Sequence, residues 1–343
     1  MGAPLLAGDP SAGSRNRRLV PLLGSRINRA DGTRRAHTVK VAPLVVRSVS
    51  VASTRRHMRH RKSAYLFVAP YLALLLVVGI YPVGYAANLA LTSFTAHFTG
   101  LTNFINTYHD YQFLPAFEDI AKFLAIWLTA LVVLVVGLSL ALHSLNRRIS
   151  GAFRFVFYLP AALAGSASVM LWLFVLQPGD SPWNIVLSWL GYKTLGNSLA
   201  PGNLPVIFAL IAFWTGAGAW IVVMHGALAT IPDTVLEAAK LDGAGWWRTA
   251  VHIKLPLIQR WIAYMLIGAF AAGTQLFVEP QLLSEATAAA SNQTWSPNQL
   301  AVFLSFHLDN FNYAAAISID LLVVALVCAA VILMRTRLFQ VGH

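Results

Sequence analysis

Six long apolar stretches separated by short polar segments constrain this chain more than any other feature. A helix that crosses the hydrocarbon core of a bilayer needs about 20 mostly apolar residues. The first stretch lies within Ser63–Ala96, which carries no charged residue and is punctuated by Pro70 and Pro82. The others are Phe123–Leu142, Phe155–Gln177, Leu204–Ile231 (interrupted by His225), Trp261–Val278 and Tyr313–Met334, which holds Asp320. Proline is tolerated in such segments because neighbouring groups satisfy the freed carbonyls. The predicted fold class is therefore all-α: a polytopic membrane protein with six transmembrane helices.

Composition agrees. Of 343 residues 57% are hydrophobic and 11% charged, with a mean hydropathy of +0.63. Soluble domains carry about 25% charged residues, so this chain has too few to cover a water-facing surface. The lone cysteine, Cys328, excludes a disulfide framework or a cysteine-rich metal site. The net charge of +12 does not point to nucleic acid, because 14 of the 25 Lys and Arg precede residue 63 and most of the others flank apolar runs.

Three regions follow. Residues 1–62, with only Asp9 and Asp31 as acids, read as a basic disordered tail suited to anionic headgroups; the alternative is that the chain starts at Met58. Residues 63–338 form the membrane domain, and 339–343 its C-terminal end. Basic residues set the orientation. The tail, the loops after the second and fourth spans and the C-terminus hold 23 Lys and Arg, against Lys122 and Lys193 on the opposite side. Both termini are expected to be cytoplasmic.

The loop between the fourth and fifth spans, Ile231–Ile258, is too polar to span and too well patterned for a plain connector. Pro232 and Asp233 supply helix-start chemistry. Val235, Leu236, Ala239 and Leu241 make a short apolar face, and Asp242-Gly243 is a turn signal. A second short helix is expected through Trp246, Trp247 and Val251, with Pro256 as its stop. Ala238, Ala239, Gly243 and Ala244 are small enough for another protein to approach the backbone. The bland alternative is an interfacial amphipathic loop that only joins two spans.

Glu237-Ala238-Ala239, then Gly243, then Ile253, Leu255 and Pro256, with nine residues between glycine and isoleucine, resemble the EAA-loop signature of permeases in bacterial ABC importers. The resemblance extends over nearly all of residues 62–338. Val68–Phe94 is similar to the first span of sugar-type permeases, Gly100–Phe104 to the motif after it, and Phe153–Leu163 to the start of their third span. Leu276–Leu283 is similar to the end of the fifth span in the maltose and glycerol-phosphate branch. What the resemblance implies is a type I importer permease fold whose loop 232–256 forms coupling helices in a cleft of an ATPase. Glu237, Ala238, Ala239, Asp242, Gly243, Ala244, Ile253, Leu255 and Pro256 then form the ATPase-coupling site. Ala250 departs from the aromatic residue of many relatives, and Trp246 and Trp247 offer bulk instead.

The same resemblance implies a bacterial inner membrane location and three partners: a second, related permease, a cytoplasmic ATP-binding subunit dimer and an extracytoplasmic sugar-binding protein. It implies no cofactor on this chain, since ATP and Mg are bound by the ATPase. The sequence itself contains no G-x-x-x-x-G-K-[ST], H-E-x-x-H or G-x-S-x-G, so no enzymatic role is expected. No metal site is expected either, because His225 has no partner at ligand spacing.

Ionisable and polar groups within spans are costly and mark candidate transport paths. Trp172, Gln177, Trp214, Gln275, Glu279 and Asp320 are the substrate-path candidates; each also reads as a packing or interfacial residue. The competing functions are an importer permease for a non-sugar solute and an ion-coupled secondary transporter, the latter of a different class. The secondary transporter would draw on Asp320 but leaves the 232–256 loop without a purpose, and a membrane-embedded enzyme would need a polar catalytic cluster that is not found.

Overall fold

A backbone in lipid must satisfy its own N–H and C=O groups, and the chain does so with helices. The computed structural model describes residues 67–163, 165–287 and 293–335. The tail at 1–62, Arg337 and the end at 339–343 lie outside the described residues. Among the described residues the only extended pairing is an isolated bridge between Thr92 and Phe98.

Among the described residues five helices are long and apolar enough to cross a membrane: α1 (Phe67–Leu91), a helix over Phe113–His143 (α3), one over Pro201–Leu228, the run Trp246–Ala286, and Phe311–Arg335. Between α1 and α3 lies α2 (Thr102–Tyr108). A helix of α3's 31 residues measures roughly 46 Å, well beyond the roughly 30 Å core, so it extends past the predicted Phe123–Leu142 at its N-terminal end. That extension carries an ion-pair cluster, with Lys122 Nζ 2.8 Å from Glu118 and 3.6 Å from Asp119.

The third expected span, Phe155–Gln177, is not continuous. Instead α4 (Arg147–Tyr158), capped by the Asn146 side chain, tightens into a 3₁₀ turn over Leu159–Leu163 and gives way to α5 (Ser166–Leu176). The two arms meet at 100°. Pro160 removes a donor from the ladder, and Gly165 turns the chain with φ +81°, a conformation that a side chain disfavours. An apolar run does not reveal such a break, because hydropathy reports the solvent rather than the dihedral angles.

At the centre lies α6 (Leu204–Leu228), packed against α3, α4 and the 3₁₀ turn. Lipid tails are as apolar as leucine, so helices associate in membranes through close packing of small residues. A Cβ on Gly218 would collide with the backbone of Phe157 and Tyr158, and one on Gly273 would lie 2.7 Å from the Trp127 ring. The main core joins Phe123, Trp127 and Leu131 to Phe208, Ile221 and Met224. After α6 come α7 (Asp233–Leu241), a turn Trp246–Thr249, a π turn Ala250–Lys254 and α8 (Leu255–Thr274). The chain ends with α9 (Val278–Ala286), α10 (Pro297–Phe306) and α11 (Phe311–Arg335).

Pro256 does not stop the helical run that begins at Trp246, contrary to the sequence expectation. The π turn widens the ladder, the Leu255 N–H reaching back to the Ala250 carbonyl, and α8 continues through the proline. A proline ring clashes with the carbonyl four residues back, here His252, which lies inside the widened turn. The same device carries α1 through Pro82: the π turn Leu75–Ile80 precedes it, and the Tyr81 N–H bonds the Leu76 carbonyl.

Candidate functional site

The segment between α6 and α8 folds as a knob with an anchored side and an open side. Asp233 opens α7 after Pro232, and Lys240 lies in its last turn, charges that complement the helix dipole. The helix ends in a Schellman motif: the Gly243 N–H donates to the Lys240 carbonyl (3.0 Å) and the Ala244 N–H to the Ala239 carbonyl (2.9 Å). Gly243 takes φ +73°, so the Asp242-Gly243 turn signal is structurally accounted for.

On the anchored side, Ala239, Ala250, Lys254 and Ile258 are buried, and Leu236 and Leu255 pack against the main core. Ile253 and Ala244 are half-buried. On the open side lie Glu237, Ala238, Asp242, Gly243 and Pro256. Leu241 is 89% exposed and Trp247 70%, with the Trp246 ring 6.0 Å from that of Trp247. Leu241 therefore does not join the inward apolar face expected from sequence; it projects outward, the Schellman turn having ended the helix beneath it. Exposed Leu241, Trp246 and Trp247 on the same short segment as exposed Glu237 and Asp242 combine apolar and charged groups as protein interfaces do.

The path candidates do not converge on one site. Trp172 and Trp214 meet edge to face, centroids 6.2 Å apart at 85°, within the packed spans. Gln177 ends α5 and donates to Asp180 (3.1 Å). Glu279 lies in the first turn of α9, half-buried. Asp320 is half-buried in α11, with no hydrogen-bond or ion-pair partner among the described residues.

Of these candidates Gln275 lines a cleft of about 510 Å³ between the end of α1, the end of α8, α10 and α11. Asn298, Ser305 and Ser318 add polar groups there, and Phe277 and Phe311 add aromatic faces. These residues went unremarked in the sequence, since lone Ser and Asn in apolar runs give no pattern until helices distant along the chain meet. Among the described residues no group of three His, Cys, Asp or Glu is placed to hold a metal ion.

Residues 133–339 match the family model described as "Binding-protein-dependent transport system inner membrane component". The chain is 31% identical over 222 residues to the sn-glycerol-3-phosphate transport system permease protein UgpA of Escherichia coli, covering 63% of this chain and 75% of that protein. The same protein of Salmonella typhi is 31% identical over the same coverage. The fold is similar to that of a chain in the crystal structure of a bacterial ABC transporter involved in the import of the acidic polysaccharide alginate. The TM-score is 0.69 at 20% identity, over 83% of this chain and 99% of that one. The alginate transporter solved with an alginate pentasaccharide-bound periplasmic protein gives a TM-score of 0.68 at 20% identity, over 84% and 99% of the two chains.

Proposed function

Because the chain belongs to the family of binding-protein-dependent transport system inner membrane components, we propose that it forms, with a second permease subunit, the path by which a carbohydrate or sugar phosphate enters the cell. It is a permease of an ATP-driven importer and not an enzyme, which sets aside the ion-coupled alternative. The carbohydrate reading draws on relatives named for glycerol 3-phosphate and structural neighbours titled for alginate. A related rather than identical second permease follows the same branch. An extracytoplasmic binding protein delivers the solute, and a cytoplasmic ATPase dimer holds ATP and Mg. Both termini of this chain are cytoplasmic, a reading supported by the 23-to-2 distribution of basic residues.

The observation that carries the coupling role is the two-sided knob. ATPase closure acts on the exposed Leu241, Trp246, Trp247 and Gly243 surface, while Leu236, Leu255 and Ile258 sit in the same core as α3 and α6. A force on the outer side therefore moves the spans rather than a slack loop. ATP binding then shifts the population between inward-open and outward-open states. Cargo selection rests largely with the binding protein, and the cleft around Gln275, with Trp172, Trp214, Gln177, Glu279 and Asp320, supplies path-lining candidates.

Co-purification tests this reading. Full-length wild-type protein retains the ATPase, whereas Gly243→Asp, with a charge placed at the bend, inserts in the membrane but loses the ATPase and transport. Undiminished ATPase capture by that variant would sink the coupling assignment. Thermal shift of the binding protein against a carbohydrate panel identifies the cargo, and stabilisation only by amino acids or peptides would overturn the carbohydrate reading.

A further inference from the structure

The cleft beside Gln275 lies at the opposite end of α8 from the knob, and its polar groups are largely used up as donors. The Ser305 hydroxyl donates to the Ala301 carbonyl (2.8 Å) and the Ser318 hydroxyl to the Ala314 carbonyl (2.9 Å). The Asn298 amide nitrogen donates to the Thr274 carbonyl (3.2 Å), a partner that fixes which end of the amide faces it. What each has left for a ligand is chiefly an oxygen acceptor. Gln275, exposed at the end of α8, brings both a donor and an acceptor. None of the described residues that line the cleft is charged.

A helix N-terminus can hold an anion without a cation, but the two at this cleft are served by the chain's own side chains. In α10, Pro297 has no N–H and the Gln299 N–H donates to Ser296 Oγ (3.2 Å). In α11, the Tyr313 N–H donates to Asn310 Oδ1 (3.1 Å). The segments joining the helices at this end are 92–122, 177–203 and 275–310. They carry Asp110, Glu118, Asp119, Asp180, Glu279, Glu285 and Asp309 against Lys122 and Lys193, and Lys122 is paired with Glu118 and Asp119. An anion entering such a place sheds hydration and meets acceptors and like charge. A sugar hydroxyl donates to those acceptors, and the ring of a sugar lies against the faces of Phe277 and Phe311. We propose that the cleft accepts an uncharged polyhydroxyl solute and turns anionic ones away. The cargo is then a neutral sugar or polyol, in contrast to the glycerol 3-phosphate and the acidic alginate for which the related proteins are named. The inference rests on the reading of the cleft as part of the transport path, and binding to the chain itself separates the two.

Saturation-transfer NMR on the purified full-length chain, in a neutral detergent without a sugar headgroup, tests the proposal. The neutral probes are maltose, trehalose and sorbitol, and the anionic ones glycerol 3-phosphate and glucuronate. At least one neutral probe should bind, roughly tenfold or more tighter than either anion. Ser318→Phe should abolish that binding. Ser318→Lys should weaken it and confer binding of glycerol 3-phosphate, because an ammonium group then stands among the acceptors. Gln275→Lys, at the exposed end of α8, should do the same and guards against misfolding of the first lysine variant. Anions binding to the wild type as tightly as the neutral probes would overturn the proposal, as would neutral binding that survives Ser318→Phe. Failure of both lysine variants to gain anion binding would overturn charge as the reason for the preference. No transfer to any probe would overturn the cleft as a binding site. Binding lost in Ser318→Phe with uptake by the assembled importer unchanged would overturn the path reading and leave the binding preference standing.

Discussion

Asn312, at the start of α11, donates its side-chain amide to the carbonyl of Leu89, 2.9 Å away at the end of α1 and 223 residues earlier in the chain. The same amide reaches the Thr92 carbonyl (2.7 Å), and Asn103 of α2 serves the Ala90 and Thr92 carbonyls at 2.8 Å each. The last carbonyls of a helix have no partner within it, and here two asparagines supply them. Since α1 touches the rest of the protein chiefly through α11 and α2, these bonds fix its position. Asn312→Ala should cost about 1–3 kcal/mol, the loss of two hydrogen bonds at about 0.5–1.5 kcal/mol each, since Asn103 still serves the Thr92 carbonyl and the Thr92 N–H the Leu89 carbonyl. Thermal unfolding in detergent should register it, with hydrogen exchange rising around residues 89–92. Asn106→Ala, which removes an exposed bond to the Tyr313 hydroxyl, should change little.

Close helix approach makes a second prediction. Gly218 faces the backbone of Phe157, whereas a Cβ on Gly216 would meet nothing within 4 Å. Gly218→Ala should destabilise the protein by about 1–3 kcal/mol through overpacking, and lower the yield of folded protein. Gly216→Ala, on the same helix, should be neutral or slightly stabilising, because alanine favours the helix. Equal unfolding temperatures for the two variants would refute the packing account of α6.

At Gly243 the constraint is the backbone rather than space, since an added Cβ again meets nothing within 4 Å while φ is +73°. A left-handed backbone costs most residues about 1–2 kcal/mol, but asparagine visits it readily. Gly243→Asn should therefore keep the Schellman turn and most ATPase capture. Gly243→Val should lose both, and Gly243→Asp, nearly isosteric with Asn, should lose capture through its charge. Co-purified ATPase per permease, measured across the series, separates the effect of shape from that of charge at the proposed coupling surface.

The sequence showed the spans well because apolarity over 20 residues is a solvent statement, and Leu204–Leu228 or Phe311–Arg335 need no tertiary knowledge. The turn that ends α7 was equally legible: Asp242-Gly243 encodes its own left-handed bend. Pro256 misled, because a proline's effect depends on whether the preceding turn widens, and nothing in Ala250–Lys254 announces a π turn. The bend at Gly165 was hidden inside an unbroken apolar run. The cleft was invisible because Leu89, Gln275 and Ser318 come from three separate helices.

That cleft supports the last prediction. Hydroxyl-rich solutes need hydrogen-bonding groups beside aromatic faces, and Gln275, Ser305 and Ser318 flank Phe277 and Phe311 in a volume of about 510 Å³. Ligand pockets of drug-sized molecules span roughly 300–1,000 Å³, so one or a few sugar units match the space. Ser318→Phe would fill the cleft from α11 without disturbing its core-facing side, where Ile317 and Leu321 pack. It should leave ATPase capture intact and lower uptake at least several-fold. Gln275→Leu removes hydrogen bonding but little volume, so it should raise the half-saturation concentration for uptake more than it lowers the maximal rate. Gln275 is exposed at the end of α8, so neither effect should come with a fall in unfolding temperature. Wild-type uptake by both variants would remove the cleft from the path and leave Trp172, Trp214 and Asp320 as the residues to test.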